Sequence, residues 1–180
     1  MIQSVKIPGE RIGALIGKDG ETKDRIEKRT GTKLSIDSQE GDVQIDSTRS
    51  EDPAIGLSVL NVVTAIGRGF SPEKAMLLLD ENYMLEILDI RDFVGKKQEH
   101  VMRVRARVIG SHGKTRAIIE ELTGAFISVY GNTVSVIANS IQMNVALRAL
   151  DMLLSGSEHA AVYQFLEKMR PQLKVDGMGF

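Results

Sequence analysis

RVIGSHGKTRAIIEELTG, residues 107–124, packs an apolar pair, two glycines three apart, a basic cluster and a helix-like tail into one stretch, and LIGKDGETKDRIEKRTG, residues 15–31, repeats most of it. Placing Gly17 over Gly110 sets an offset of 93 residues, and a series of positions then falls into register. Ile16 meets Ile109, Gly20 meets Gly113, Thr22 meets Thr115, Ile26 meets Ile119 and Glu27 meets Glu120. Thr30 and Gly31 meet Thr123 and Gly124. Leu34 and Ile36 then fall on Ile127 and Val129, and Val43 and Ile45 on Val134 and Val136, after a loop two residues shorter in the second copy. So many identities at one offset mean that the chain carries one module twice.

Each copy has a readable order of elements. In SVKIP, Val5 and Ile7 alternate with polar neighbours, which predicts a strand that Pro8 and Gly9 end. GERIGALIG places Ile12, Leu15 and Ile16 at helical spacing before Gly17. ETKDRIEKRT is a polar helix held inward by Ile26, with Gly31 as its left-handed stop. KLSI and DVQI are short strands around a turn at Gly41, and a longer helix runs from about Pro53 to Ile66. In the second copy, VMRVRARV fits either a strand or a helix; the register and the i, i+3, i+7 spacing of Val101, Val104 and Val108 favour helix. Its leading strand is then MLEILDI, set upstream by the insertion RDFVGKKQE. AFISVY and TVSVI flank a hairpin turn at Gly131 and Asn132, both tolerant of positive φ. SIQMNVALRALDMLLSG closes the module. Each copy trails one more helix: FSPEKAMLLLDE, capped by Ser71, and SEHAAVYQFLEKMR, which Pro171 should halt.

Composition bounds the function. The 180 residues are 42% hydrophobic, enough for two small cores. Absence of cysteine excludes disulfides, thiolate metal sites and a cysteine nucleophile. No apolar run is long enough to span a bilayer, and Met1 leads straight into a strand pattern, so a soluble, cytoplasmic protein is expected. The formal net charge of −1 means that any polyanion site must come from local clustering.

VKIPGERIGALIGKDGETKDRIEKRTGTKLSI resembles the type I KH domain, whose hallmark is an IGxxG loop between two helices packed on a three-stranded antiparallel sheet. The second copy matches from Val108 onward. The tandem arrangement, AIGRGFSPEKA and VIGSHGKTRAIIEELTGAFISVYGNTV are similar to the archaeal two-KH ribosome assembly factors of the partner-of-NOB type. The resemblance implies an α+β fold of two tandem type I KH domains, each a three-stranded antiparallel sheet with helices on one face. The expected boundaries are 1–79, with one trailing helix, and 80–180, with the C-terminal helix. It also implies binding of single-stranded RNA, small-subunit ribosomal RNA near its 3′ end, beside the endonuclease that trims it and other pre-ribosomal proteins, by a monomer.

The physics of the loop points the same way. An anion needs several backbone N–H groups aimed at it with no side chain in between, and glycine permits that approach. Gly110 and Gly113 bracket Ser111 and His112, and a helix follows. KH modules use such a turn to clamp about four nucleotides. Aromatic content of 4% argues against a stacking platform, leaving a groove lined by aliphatics such as Ile109 and Ile119. The candidate RNA-binding residues are Arg103, Arg107, Ile109, Gly110, Ser111, His112, Gly113, Lys114 and Arg116 in the second copy, and Gly17, Lys18, Asp19, Gly20 and Lys23 in the first. The second copy is the more basic: Lys96, Lys97, Arg103, Arg105, Arg107, Lys114 and Arg116 face Glu99 alone, while the first interleaves Glu10, Asp19, Glu21, Asp24 and Glu27 with its cations. It should therefore bind RNA more tightly and with the steeper salt dependence. Members of the family it resembles often carry basic residues where this loop has Ser111 and His112, which places more weight here on Lys114, Arg116 and the arginine helix.

Plainer readings accompany these. Lys23 and Lys28 fit surface pairs with Glu27 and Asp24. AIGRGF fits a helix stop and turn, and Met76 to Leu79 fit packing. GALIGKD has one residue too few between its glycines for a phosphate loop and Asp19 where Ser or Thr would hold Mg²⁺. His100, His112 and His159 lack ligand spacing, and Glu120 and Glu121 point to different helix faces, so no metal, cofactor or catalytic role is expected. The alternative function is a protein adaptor in which the acidic first module docks a partner and RNA contact is secondary.

Overall fold

The computed structural model describes residues 1–177, with side chains through residue 174. The chain divides into two compact units, Met1–Tyr83 and Met84–Phe180. The first runs β1 (Ile2–Lys6), α1 (Ile12–Ile16), α2 (Glu21–Thr30), β2 (Lys33–Ile36), β3 (Asp42–Asp46), α3 (Ile55–Gly67) and α4 (Pro72–Ala75). Its sheet is antiparallel in the order β1-β3-β2, with Val5 opposite Val43 and Leu34 opposite Ile45. Leu34, Val43 and Ile45 are buried beneath Ile12, Leu15, Ile26, Val62 and Ile66, while Ser4, Ser35 and Gln44 on the other face are exposed. That alternation puts the helices on one face of the sheet.

The second unit runs β4 (Met84–Asp89), α5 (Arg91–Val94), α6 (Gln98–Ile109), α7 (Lys114–Thr123), β5 (Phe126–Tyr130), β6 (Thr133–Ala138), α8 (Ser140–Leu154) and α9 (His159–Gly177). The sheet order β4-β6-β5 repeats the first. VMRVRARV is helical: Val101, Val104 and Val108 all join one core with Ile119, Ile127, Val136, Leu150 and Leu166. The insertion folds in part as α5, which Asp89 anchors by accepting from Arg91 at 2.7 and 3.0 Å, raising the guanidinium further above its ordinary pKa. Asn139 and Gln142 form a reciprocal capping box at the start of α8.

Three expectations need correction. Pro171 does not halt the last helix, which continues to Gly177. Leu166, Met169 and Leu173 keep one apolar stripe against the core across the proline, and that packing outweighs the lost N–H donor. The helix after Ser71 is only α4, capped by Ser71 Oγ accepting from Lys74 N–H, and tightens into a 3₁₀ turn at Met76–Leu79 that buries Met76 and Leu78. In the β5–β6 hairpin only Gly131 has positive φ, at 56°. Among the described residues no helix is long and apolar enough to cross a membrane.

Candidate nucleic-acid interface

The two glycine turns have one backbone. Gly17 stands at φ 77°, ψ 174° and Gly110 at 76°, 172°; Gly20 at 77°, 12° and Gly113 at 76°, 13°. Between each pair sits a left-handed non-glycine, Asp19 at 55°, 27° and His112 at 55°, 29°. No other described non-glycine residue has positive φ. A side chain in that region carries roughly 1–3 kcal/mol of strain, held in place by the packing around it. In the second turn, internal bonding starts with Gly113 N–H donating to the Gly110 carbonyl at 3.1 Å and Lys114 N–H to the Ser111 carbonyl. The amides of Ser111 and His112 precede those bonds, as the first amides of a helical turn do, and both side chains are exposed.

The glycines within each turn do different work. A Cβ on Gly110 would lie 2.6 Å from Thr115 N, and one on Gly17 2.7 Å from Thr22 N, so the first glycine lets the turn close against the next helix. A Cβ on Gly20 or Gly113 would meet nothing within 4 Å. The last glycine instead keeps the outer surface bare, which a sugar-phosphate backbone needs for close approach.

An exposed, twice-repeated turn of this kind on two matching sheets has known relatives. The KH domain matches residues 2–55, and the eukaryotic type KH-domain, KH-domain type I, matches residues 84–171. A KH domain-containing protein of Methanocaldococcus jannaschii is 45% identical over 96% of this chain and 76% of its own length. The chain belongs to the archaeal two-KH-domain ribosome assembly factors. The crystal structure of Dim2p from Pyrococcus horikoshii is 50% identical, with a TM-score of 0.87, over 93% of this chain and 99% of that one. A second Pyrococcus horikoshii structure, a complex of a/eIF2alpha, aDim2p and rRNA, matches at 47% identity and TM-score 0.89 over 96% of this chain and 95% of that chain.

Around the second KH turn the predicted residues separate into groups. Lys114 on α7 and Arg103 on α6 are exposed, and Ile109 is half-buried beside the turn. Arg116 is half-buried and donates to the Ile127 carbonyl at 3.4 Å, a long contact from which it can swing outward. Arg107 does not present its guanidinium outward. It donates to the Leu153 carbonyl at 3.2 Å and to the Ser157 carbonyl, tying down the C-terminal end of α8. Ile119 is fully buried and belongs to the core, because the same helical spacing that suggested a groove turns it inward. In the first KH module, Lys18 and Asp19 are exposed and Lys23 is half-buried.

Charge distinguishes the copies at equivalent positions. Residues 18–25 carry Lys18, Lys23 and Arg25 against Asp19, Glu21 and Asp24, whereas residues 111–118 carry Lys114 and Arg116 with no carboxylate. Arg25 is further engaged by Glu21 at 3.5 Å and Glu73 at 3.8 Å. The expected pairing of Lys23 with Glu27 is absent among the described residues. Glu27 Oε2 instead accepts from Leu34 N–H at 2.9 Å, and Glu120 Oε2 accepts from Ile127 N–H at the same distance. Each carboxylate thereby clips a helix of its KH module to the edge strand. Their identity at one offset was visible in sequence; their target was not.

Two further residues of the second module escaped the sequence reading. Tyr163 OH lies 3.0 Å from Thr115 Oγ1, and His159 Nε2 lies 3.0 Å from the Arg107 carbonyl. Both come from α9 and, with Gly110, Ser111 and Lys114, line a depression of about 440 Å³ behind the turn. The C-terminal helix thus buttresses the base of the second loop.

Proposed function

We propose that this chain binds single-stranded RNA through the turn 110–113 of its second KH module, without chemistry of its own, during maturation of small-subunit ribosomal RNA near its 3′ end. The observation that carries the reading is the exposed left-handed His112 between Gly110 and an open Gly113, with Lys114 and Arg116 beside it and no carboxylate in residues 111–118. Bare amides at a helix start and nearby cations are what a phosphate requires. Archaeal aDim2p, the relative at 47% identity, has been crystallised with rRNA. Ser111, His112, Gly113, Lys114 and Arg103 form the main contact set, and Gly17, Lys18, Asp19, Gly20 and Lys23 a weaker second one. An endonuclease acting on the same RNA end and other pre-ribosomal proteins are the partners this role calls for.

The same complex supports a second reading, since it also contains a protein, a/eIF2alpha. On that reading the acidic first module docks a protein partner while RNA contact is secondary. Filter binding of short RNAs across a salt series separates the two. Ser111→Asp combined with His112→Asp should abolish binding and Lys18→Asp should change it only a few-fold, with the logarithmic salt slope falling by about 0.7 for each phosphate no longer neutralised. Weak binding that neither change affects would favour the adaptor.

A further inference from the structure

At the other end of α2 from the first glycine turn, about 15 Å away for a ten-residue helix, lies an open cleft of about 430 Å³ between the helix end and the loop that leads into α3. Lys28, Arg29 and Arg49 line it, and Lys33 with Arg49 continues it into a smaller depression of about 250 Å³. Among the described residues none of these four cations takes part in an ion pair within 4 Å. At the wall of the cleft Ser50 is only 9% exposed, and its hydroxyl has no hydrogen-bond partner.

A buried hydroxyl without a partner costs about 1–3 kcal/mol, which makes it informative where it faces a polar cleft. Lys28 and Arg29 alone would be explained as cations complementing the negative end of α2. That explanation covers neither Arg49, which lies on the next loop, nor Ser50. The helix end needs no further donors for two of its carbonyls, since Thr30 Oγ1 donates to Ile26 and Gly31 N–H to Glu27. The acidic neighbours are partly occupied: Asp52 Oδ1 accepts from Ala54 N–H at 3.0 Å and Asp46 Oδ1 from Thr48 N–H at 2.9 Å. Bonding to Thr48 holds the Asp46 carboxyl below the usual carboxylate range. Both aspartates stay negative, so with Glu51 the two depressions carry three carboxylates against the four cations, and the excess charge is positive by one.

We infer that this cleft is a second anion site, independent of the glycine turns, in which Arg49, Lys28 and the Ser50 hydroxyl hold a backbone phosphate of the bound RNA. A phosphodiester oxygen can accept from a hydroxyl and a guanidinium at once, and an open cleft admits a chain that passes through it. The inference rests on the reading that the chain binds RNA, and it places a phosphate two to three helical turns from the turn 17–20.

The test uses the full chain, with backbone amide signals followed by NMR during titration with inorganic phosphate and, separately, with a single-stranded twelve-nucleotide uridylate. RNA should move the signals of Gly31, Arg49 and Ser50 together with those of Ser111 and His112, and inorganic phosphate should move both sets weakly. Arg49→Gln and Ser50→Ala, neither of which disturbs a core side chain, should each remove the first set of shifts. Arg49→Gln should weaken RNA binding about fivefold at low salt and lower the logarithmic salt slope by about 0.7. RNA shifts at Ser111 and His112 with none at Arg49 and Ser50 would overturn the inference while leaving the proposed function intact. Shifts at the cleft with phosphate but not with RNA would overturn the RNA occupant. Absence of RNA shifts everywhere would overturn the proposed function itself and the inference with it.

Discussion

The turns at 17–20 and 110–113 share their φ and ψ to within 2° yet stand in opposite settings. Around the first, cations and carboxylates balance and Arg25 is held by two glutamates; around the second, residues 111–118 carry Lys114 and Arg116 with no carboxylate, and α9 braces the turn from behind. A duplicated backbone therefore does not mean a duplicated charge setting. Local residues set the backbone: two glycines, a threonine and the start of a helix. Other residues close to each turn set its charge, and distant ones, Glu73 on Arg25 and Tyr163 on Thr115, add to its setting. Arginine use makes the same point. Arg11 precedes α1 and donates to the Ile66 and Phe70 carbonyls at 2.8 and 3.0 Å, closing the end of α3. In the second module the equivalent job on α8 falls to Arg107, one helical turn beyond the position that the offset would assign.

The largest expected effect separates the two glycines of one turn. Gly110→Ala should cost about 3 kcal/mol, because it adds positive-φ strain to a clash with the Thr115 amide. Gly113→Ala should cost about 1 kcal/mol, the left-handed penalty alone, since its surroundings are open. Urea unfolding measures both, and RNA binding should nevertheless be impaired in Gly113→Ala. Gly17→Ala and Gly20→Ala should repeat the ranking in the first module. Equal costs for the two glycines would end the division between a closing and an opening residue.

The arginines sharpen the contrast next. Arg107→Met removes charged donors from one carbonyl in the last turn of α8 and one in the loop after it and should destabilise the second module by about 2 kcal/mol, as Arg11→Met should the first. Neither should change the salt slope of RNA binding. Arg103→Gln, on an exposed part of α6, should do the reverse, with stability within about 0.5 kcal/mol of the parent and a slope lower by about 0.7. A slope change in Arg107→Met would return that residue to the RNA surface.

This pattern also explains what sequence could and could not reveal. The repeat, the two sheets, the glycine turns and the αL stops at Gly31 and Gly124 were legible because each depends on a few neighbouring residues. Helix over strand for residues 101–108 was decided by the register, and burial of Val101, Val104 and Val108 agrees. The bonds that Arg107 makes within its own module were not legible, because its acceptors lie 46 and 50 residues downstream, a distance that no local pattern spans. Pro171 misled for the same reason: the stripe that carries α9 past it acts through tertiary packing. Ser50 offered no signal at all, since an ordinary serine becomes informative only once its burial and lack of a partner are seen.

The smallest effect tests whether α9 makes the second turn different. Thr115 and Thr22 occupy equivalent positions, both buried, but only Thr115 among the two is bonded to a phenol, that of Tyr163. Tyr163→Phe should cost about 0.5–1 kcal/mol, and a double-mutant cycle with Thr115→Val should return a coupling of similar size. The Tyr163 ring also lies 6.2 Å from the His159 ring, tilted by 49°, so the variant keeps the ring's packing and isolates the hydroxyl. Hydrogen exchange at Ser111 to Lys114 should quicken while exchange at Lys18 to Glu21 stays unchanged. RNA affinity should fall about two- to threefold, since a looser turn must be ordered on binding. Zero coupling with unchanged exchange would mean that charge alone distinguishes the two loops, and that α9 packs beside the second without shaping it.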